Sequence, residues 1–463
     1  MRIVLLSGGS GKRLWPLSNE IRSKLFLKLL PGADGQPESM MQRVCRQLAA
    51  AGLLERAVIV THCSQTEITR RHAGADIPII EEPLKRGTYA AIALACSFLS
   101  AELHVAPDET ILVLPVDLFV EPSFFRVLQR LPEALRQAGA DIGLIGTPPS
   151  HPSSQYGYMV PKRKATSGRR GRAATVPSGA DGAAAPDWIG IERFTEKPDP
   201  PAAAKLMKQG ALWNCGAFAF RLGHMMESLQ REGQPTTPAE WADKYAGLPE
   251  ASFDEQVVER SARRIALVYE GPWHDLGSWE TFARHMEERR VGPGHVGEDS
   301  PNTHLVNELD RPVYVVGVPD AIVAASPDGI LVASKSDSNL VKSLLGEEAR
   351  MPMYEEKRWG FCRTLDYVET EQGGVLTRRI ELQPGGRTSY HSHAGKEEVW
   401  TVLFGNGSFI LEDKIYTVGP GDVMRFPTGA RHGVKADTAL LCVQVEIGQV
   451  RDETDILRLS TSW

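Results

Sequence analysis

Met1-Arg2-Ile3-Val4-Leu5-Leu6-Ser7-Gly8-Gly9-Ser10-Gly11-Lys12-Arg13-Leu14-Trp15-Pro16-Leu17 opens the chain, and its reading decides the architecture of the N-terminal half. The apolar run Ile3 to Leu6 passes directly into glycines and then into a basic pair. It is too short for the apolar core of a signal peptide and reads as an opening strand. Glycines after a strand leave backbone N–H groups open to a phosphate, because a side chain would obstruct the approach and the turn calls for positive φ. The stretch is not a P-loop, since Lys12 is not followed by Ser or Thr; nor is it Gly-x-Gly-x-x-Gly, since Leu14 fills the last position.

Outward from that turn, short apolar runs alternate with helical patterns to about residue 285: Ala57 to Thr61, Pro78 to Ile80, Ile111 to Leu114 and Ile142 to Gly146. The alternation predicts βαβ units, that is an α/β domain over residues 1–285 with a mostly parallel sheet and helices on both faces, and ligands held on the loops that follow strands. The small-residue run Ala90 to Leu99 predicts a buried helix, too short to span a membrane. Residues 162–186 are rich in Arg, Gly, Ala and Ser and read as a solvated, mobile loop without a function. Over residues 286–348 the helical signal disappears, and Val313 to Val316, Ala321 to Ala325 and Gly329 to Ser334 read as strands of a β-connector. From 349 to 463 strand follows strand across Gly-rich turns, which predicts a β-barrel.

The 463 residues exceed what one core usually covers, and 42% hydrophobic against 24% charged residues are the proportions of a folded chain. A formal net charge of −6 provides no field for nucleic acid or an anionic membrane, so neither is an expected partner, and an anionic ligand must be held by local charges. Six dispersed cysteines without a Cys-x-x-Cys pair, and no secretory leader, predict a reducing, cytoplasmic setting.

Gly8-Gly9-x-Gly11-x-Arg13-Leu14-x-Pro16-Leu17, with Lys24 ahead of Phe26-Leu27, resembles the signature of sugar-nucleotide pyrophosphorylases, specifically the mannose-1-phosphate guanylyltransferase family. Further segments follow in that family's order. They are Glu82-Pro83-Leu84-Lys85-Arg86-Gly87-Thr88, Leu114-Pro115-Val116-Asp117, Tyr156-Gly157-Tyr158, Phe194-x-Glu196-Lys197-Pro198, Leu212-Trp213-Asn214-x-Gly216 and Trp273-x-Asp275-Leu276-Gly277-Ser278-Trp279. Lys12, Ser23, Gly87 and Leu118 stand where the family usually has Thr, Pro, Asn and His. The resemblance implies a Rossmann-like (GT-A-like) nucleotidyltransferase with a mixed sheet, a β-helix-like connector and a C-terminal cupin β-barrel. It also implies transfer of GMP from GTP to α-D-mannose 1-phosphate with Mg²⁺, giving GDP-mannose for polysaccharide biosynthesis.

The reaction explains the residue types. A phosphate oxygen must attack the α-phosphorus in line while cations screen the repulsion between two anions. Arg13 and Lys24 are the candidates for neutralising the triphosphate and the leaving pyrophosphate. By resemblance, Gly8, Gly9, Gly11, Lys12, Arg13, Arg86 and Thr88 bind the nucleotide, and the hard carboxylates of Asp117 and Asp275 share Mg²⁺ with phosphate oxygens. Glu196 then holds sugar hydroxyls and Lys197 the sugar phosphate, with Gly157, Tyr158 and Asn214 completing the pocket. Taken singly, an Asp after a strand is often a cap, and Glu196–Lys197 could be an ordinary surface pair. Asn214, in an apolar run, needs buried partners that a ligand can supply.

In the last segment, Gly385-x5-His391-x-His393-x4-Glu398-x6-Gly405 and Gly421-x5-Pro427-x-Gly429-x2-His432 satisfy both halves of the cupin signature except its final Asn, where Ala436 stands. His391 and His393 point the same way along a strand, and three imidazoles with one carboxylate suit Zn²⁺, Fe²⁺ or Mn²⁺. Glu397 is an alternative to Glu398. Long members of the family carry a cupin with type II mannose-6-phosphate isomerase activity, and Lys357-Arg358-Trp359-Gly360 resembles its opening. Two of that family's arginines are missing here, one of them replaced by Gly433, which leaves isomerisation open, with Lys396 or Arg431 as substitutes. Two other readings stay open for the whole chain: transfer to another hexose 1-phosphate, or a non-catalytic nucleotide-sugar-binding protein with a metal-binding cupin. A homodimer is left open as well.

Overall fold

The computed structural model describes residues 1–9, 12–162, 187–345, 351–371, 373–450, 455–460 and 463. Gly11 and nearly all of the loop expected at 162–186 lie outside the described residues. The rest falls into two compact units: Met1–Gly8, Met40–Thr66 and Ala73–Leu276 form one, and Gly9–Ser39, Glu67–His72 and Gly277–Trp463 the other.

The first unit is built on a nine-stranded sheet in the order Ile79–Glu82, Ala57–His62, Arg2–Ser7, Thr110–Pro115, Leu212–Arg221, Ile142–Thr147, Arg264–Val268, Ile189–Thr195, Tyr158–Pro161. The first four run parallel, whereas Leu212–Arg221 is antiparallel to both its neighbours and Ile189–Thr195 to both of its own, so the sheet is mixed and not the mostly parallel one that the alternation predicts. The apolar runs form these strands because both faces are covered: Ile3, Val4, Leu5, Ile111, Leu112 and Val113 are wholly buried. The helix Gly87–Ala101 is apolar nearly all round and is buried, as its small residues predict. The helix Pro122–Ala138 starts with Pro122 and stops at left-handed Gly139, and it buries Phe124, Phe125, Leu128, Leu131 and Leu135. Because the four parallel strands point the same way, Gly8, Pro83 to Gly87, and Asp117 all emerge at one edge of the sheet.

In the second unit, Arg290–Val291, His304–Asn307 and Ala321–Ser326 stack as parallel rungs closed by the antiparallel strand Gly329–Ser334. A short helix, Val341–Leu344, follows where no helical signal was expected; in a single turn, Val341 alone is buried and there is no periodicity to read. The N-terminal segment Gly9–Ser39 is fastened to these rungs. Arg22 makes a two-pronged ion pair with Glu308 (2.7 and 2.9 Å), Asn19 Nδ2 donates to Asp328, and Ser326 Oγ donates to the Pro16 carbonyl. The C-terminal part is two antiparallel sheets. One runs Tyr354–Lys357, Gly360–Thr370, Gly373–Leu382, Leu440–Gly448, Lys396–Phe404, Val423–Phe426; the other Lys414–Val418, Gly407–Leu411, His432–Ala436, Tyr390–His393, Ile456–Ser460. Trp400, Phe426, Met424, Val402 and Leu440 pack between them. This is the cupin barrel that its turns predicted.

Candidate functional site

A corner of the first unit gathers four of the five residues expected to hold a sugar phosphate. Asn214 lies on Leu212–Arg221 where the register with Ile142–Thr147 shifts, and its backbone N–H donates to the Gly157 carbonyl at 2.8 Å. A Cβ added to Gly157 would come 2.6 Å from Glu196 Oε2 and 2.7 Å from the Phe194 ring, so a larger residue here would displace those side chains. Glu196 is mostly buried and pairs with exposed Lys197, Nζ to Oε1 at 2.7 Å. Lys197 has φ +41, a left-handed conformation that costs a lysine roughly 1–2 kcal/mol and is typical of functional turns. Tyr158 is fully buried and its hydroxyl is bonded to the backbone of Ser153 at both its N–H and its carbonyl, so it backs the corner without presenting its oxygen to it.

Asn214 finds its buried partner in the protein: Nδ2 donates to Asp254 Oδ1 at 2.9 Å. Burial, and then the Glu196 carboxylate, push Asp254 up to about 7. Asp254 was missed in the sequence, where it is one of several acids in a polar segment 40 residues from Asn214.

Asp117 directly precedes the strand Leu118–Val120, which pairs antiparallel with Trp273–Asp275, and Asp275 stands opposite Leu118. The two carboxylates are therefore brought to one end of a two-stranded ribbon, both partly exposed. An all-oxygen donor set of this kind fits Mg²⁺. Tyr156 packs edge-on against Trp213 (4.8 Å) and Trp273 (4.9 Å), tying the Asn214 corner to the Asp275 strand. Burial, and then the Asp275 charge, push the Tyr156 phenol up to about 12.

The glycine turn follows its strand as predicted. Gly9 has φ +138, and a Cβ at Gly8 or Gly9 would meet nothing within 4 Å, so the turn leaves open space. Lys12, Arg13 and Lys24 lie in the second unit, on the two short 3₁₀ turns Lys12–Leu14 and Lys24–Phe26. Arg13 is exposed, Lys24 is partly buried, and Lys12 lies 3.9 Å from Glu20. Arg86 and Thr88 hold the segment ahead of Asp254: Arg86 Nη2 donates to the Ala246 carbonyl at 2.5 Å, and Thr88 Oγ1 accepts from Phe253 N–H at 2.9 Å.

In the barrel, His391, His393, Glu398 and His432 are all buried, and one donor atom from each lies within 4.8 Å of the others. His391 stands opposite His432 on adjacent strands. Each directs Nδ1 at a carbonyl, Ser389 at 2.7 Å and Ala430 at 2.9 Å. A carbonyl only accepts, so Nδ1 carries the proton and Nε2 keeps its lone pair for a metal. Burial, and then His432, lower His391 to about 4, which keeps it neutral. Burial works against the Glu398 charge, yet the neighbouring imidazoles, His393 at 3.1 Å first and then His432, hold it well below the usual carboxylate range. His432 Nε2 is buried without a hydrogen bond, a lone pair that a metal would satisfy. The quartet thus fits a divalent transition metal. Glu397 turns outward to Arg425 (2.9 Å), which selects Glu398 as the carboxylate. Asp455 Oδ2 faces the outer nitrogen of His393 at 3.5 Å and was not foreseen. Of the two substitute cations, Arg431 is exposed and clamped by Glu412 and Asp413, while Lys396 shares the face of Glu398 and pairs with Glu446 at 2.7 Å. Partly buried Arg378 also reaches Glu446 (3.2 Å) from the neighbouring strand.

Residues 2–290 match the nucleotidyl transferase family and residues 378–445 the cupin domain family. The chain is 28% identical to a mannose-1-phosphate guanylyltransferase of Klebsiella pneumoniae, over 99% of this chain and 98% of that one. It is 27% identical to the alginate biosynthesis protein AlgA of Pseudomonas aeruginosa, over 98% and 95% respectively. A solved structure described as a mannose-1-phosphate geranyltransferase from Thermus thermophilus is similar with a TM-score of 0.58 at 27% identity, covering 74% of this chain and 98% of that one. No described helix is long and apolar enough to cross a membrane.

Proposed function

Since the chain belongs to the nucleotidyl transferase family, we propose that it transfers GMP from GTP to α-D-mannose 1-phosphate, releasing pyrophosphate and forming GDP-mannose. Full-length similarity to mannose-1-phosphate guanylyltransferases supports the choice of sugar and base. The observation that carries the reading is the gathering, within one unit, of Asn214, Gly157, Glu196 and Lys197 beside the Asp117–Asp275 ribbon, joined through Tyr156, Trp213 and Trp273.

In this account a phosphate oxygen of mannose 1-phosphate forms a bond to the α-phosphorus of GTP as the bond to the bridging oxygen breaks, and pyrophosphate leaves with that electron pair. Arg13 and Lys24 neutralise the polyphosphate, and the glycine turn with Lys12, Arg86 and Thr88 binds the nucleotide. Asp117 and Asp275 hold Mg²⁺, which when bound supplies positive charge to the phosphate oxygens. Asn214 and Glu196 orient the sugar by its hydroxyls, Gly157 gives it room, Tyr158 supports the corner by packing, and Lys197 pairs with its phosphate. Asp117→Ala is expected to lower kcat by at least about a hundredfold at saturating Mg²⁺; unchanged turnover removes Asp117 from this role. Activity confined to another hexose 1-phosphate would keep the mechanism and replace the substrate, and silence with all of them would favour the non-catalytic reading.

The same proposal divides the chain into a transferase at 1–285, a connector at 286–348 and a cupin at 349–463, in a cytoplasmic setting consistent with its six free cysteines. For the cupin, the buried His391–His393–Glu398–His432 quartet supports Zn²⁺, Fe²⁺ or Mn²⁺, and the nearby Lys396 and Arg378 support a phosphorylated sugar as ligand. Metal analysis followed by an assay with fructose 6-phosphate tests mannose-6-phosphate isomerisation. A fully metallated but inactive barrel would make it a binding module.

A further inference from the structure

We propose that Asp254 is a positioning residue of the sugar pocket, fixing the Asn214 amide so that one N–H is presented to the ring of a hexose 1-phosphate; the inference rests on the transferase reading above.

A side-chain amide has two N–H donors and two lone pairs. In Asn214 one lone pair accepts from Gly216 N–H at 3.0 Å and one N–H donates to Asp254 Oδ1 at 2.9 Å. These two bonds exclude the flipped amide, because a flip would set N–H against N–H at Gly216 and carbonyl against carboxylate at Asp254. One N–H and one lone pair remain for a ligand. Gly216, at φ +74, lies in the same irregular stretch of strand, so the turn that aims the amide depends on glycine.

Asp254 is itself held firmly. Phe253 is fully buried, and its ring lies 5.0 Å from Phe218 and 5.5 Å from Phe220, on the strand that carries Asn214. Asp254 opens a π-helical turn, Asp254–Val258, a costly local geometry that recurs at functional sites. The residue after that turn, Glu259, accepts from the Glu196 backbone N–H at 3.2 Å. One short segment therefore grips both Asn214 and Glu196. The corner carries the carboxylates of Glu196, Asp254, Glu255 and Glu259, with Lys197 paired to Glu196 at 2.7 Å. Such a surface repels phosphate except at Lys197 and favours hydroxyl donors, which is the division of labour a hexose 1-phosphate needs.

The test measures kcat and KM of the full chain for each substrate separately, on whichever hexose 1-phosphate the wild type uses. Asp254→Ala is expected to raise KM for the sugar phosphate about tenfold and to leave KM for GTP within about twofold. Asp254→Asn, whose side-chain oxygen still accepts from Asn214, is expected to return within about threefold of wild type. The double variant Asn214→Ala/Asp254→Ala is expected to match Asn214→Ala alone, because Asp254 acts through Asn214. Equal changes in both KM values, no advantage of Asn over Ala at 254, or multiplicative effects in the double variant would overturn the proposal. A wild-type chain that turns over one hexose 1-phosphate upholds the transferase reading whatever the variants do, and silence with every hexose 1-phosphate overturns both.

Discussion

Asn214 and Asp254 show where reading by residue succeeds and where it stops. The need for a buried partner was legible at Asn214, because an amide in an apolar strand cannot stay unpaired. The partner's identity was not, because nothing local marks an acid 40 residues away. Its charge has a measurable cost. Facing Glu196, Lys197 and Glu259, Asp254 is held up to about 7 by burial and then by Glu196. Between the ordinary carboxylate value of about 4 and pH 7 the native chain keeps a proton that the unfolded chain has released, so stability falls as pH rises through that window. Asp254→Asn removes that loss. The variant should gain on wild type from pH 4 to 7 and then hold a constant advantage of about 1–2 kcal/mol, after discounting for solvent screening, in urea titrations at a series of pH values. A flat difference across the window would refute the assignment. The gathering of the cupin quartet, in contrast, has a local signature, since the period-two alternation of a strand by itself puts His391 and His393 on one face. His432→Ala should reduce the metal retained after dialysis by at least about tenfold, and full retention would exclude it as a ligand.

At the scale of elements, patterns of four to six residues located the parallel strands but not the partners they chose. The central antiparallel strand Leu212–Arg221 is apolar apart from Asn214 and its last residue, and nothing in such a run states its direction. Single-turn elements such as Val341–Leu344 and the π-turn Asp254–Val258 lack a period to detect. Gly87, a departure from the family's usual Asn, receives a structural explanation. It opens the helix Gly87–Ala101 at φ +82, and an added Cβ would stand 2.2 Å from the Ala251 carbonyl oxygen. Asparagine tolerates the backbone angle but not that contact. Gly87→Asn should therefore destabilise the fold by about 2 kcal/mol, read as a lower denaturation midpoint, and a neutral substitution would contradict the close approach.

For the whole molecule, the net charge of −6 pointed to local cations as the means of holding anionic substrates. Arg13 and Lys24 ride on the segment Gly9–Ser39, which belongs with the C-terminal half of the chain through Arg22–Glu308 and Asn19–Asp328. Nothing local in the sequence marks this grouping, because a compact unit assembled from three separate pieces of chain has no signature in any one of them. Metal binding should also be visible at this scale. With free metal a hundredfold above its Kd, occupancy of the barrel quartet adds about 2.7 kcal/mol to the folded state, so a chelator should lower the melting temperature of the barrel, and melting that is indifferent to bound metal would argue against the site. The central claim is tested most directly by Mg²⁺-dependent release of pyrophosphate from GTP and α-mannose 1-phosphate, run beside ATP, UTP and glucose 1-phosphate. Release with the first pair well above the others is the predicted result, and no release with any pair would contradict the account.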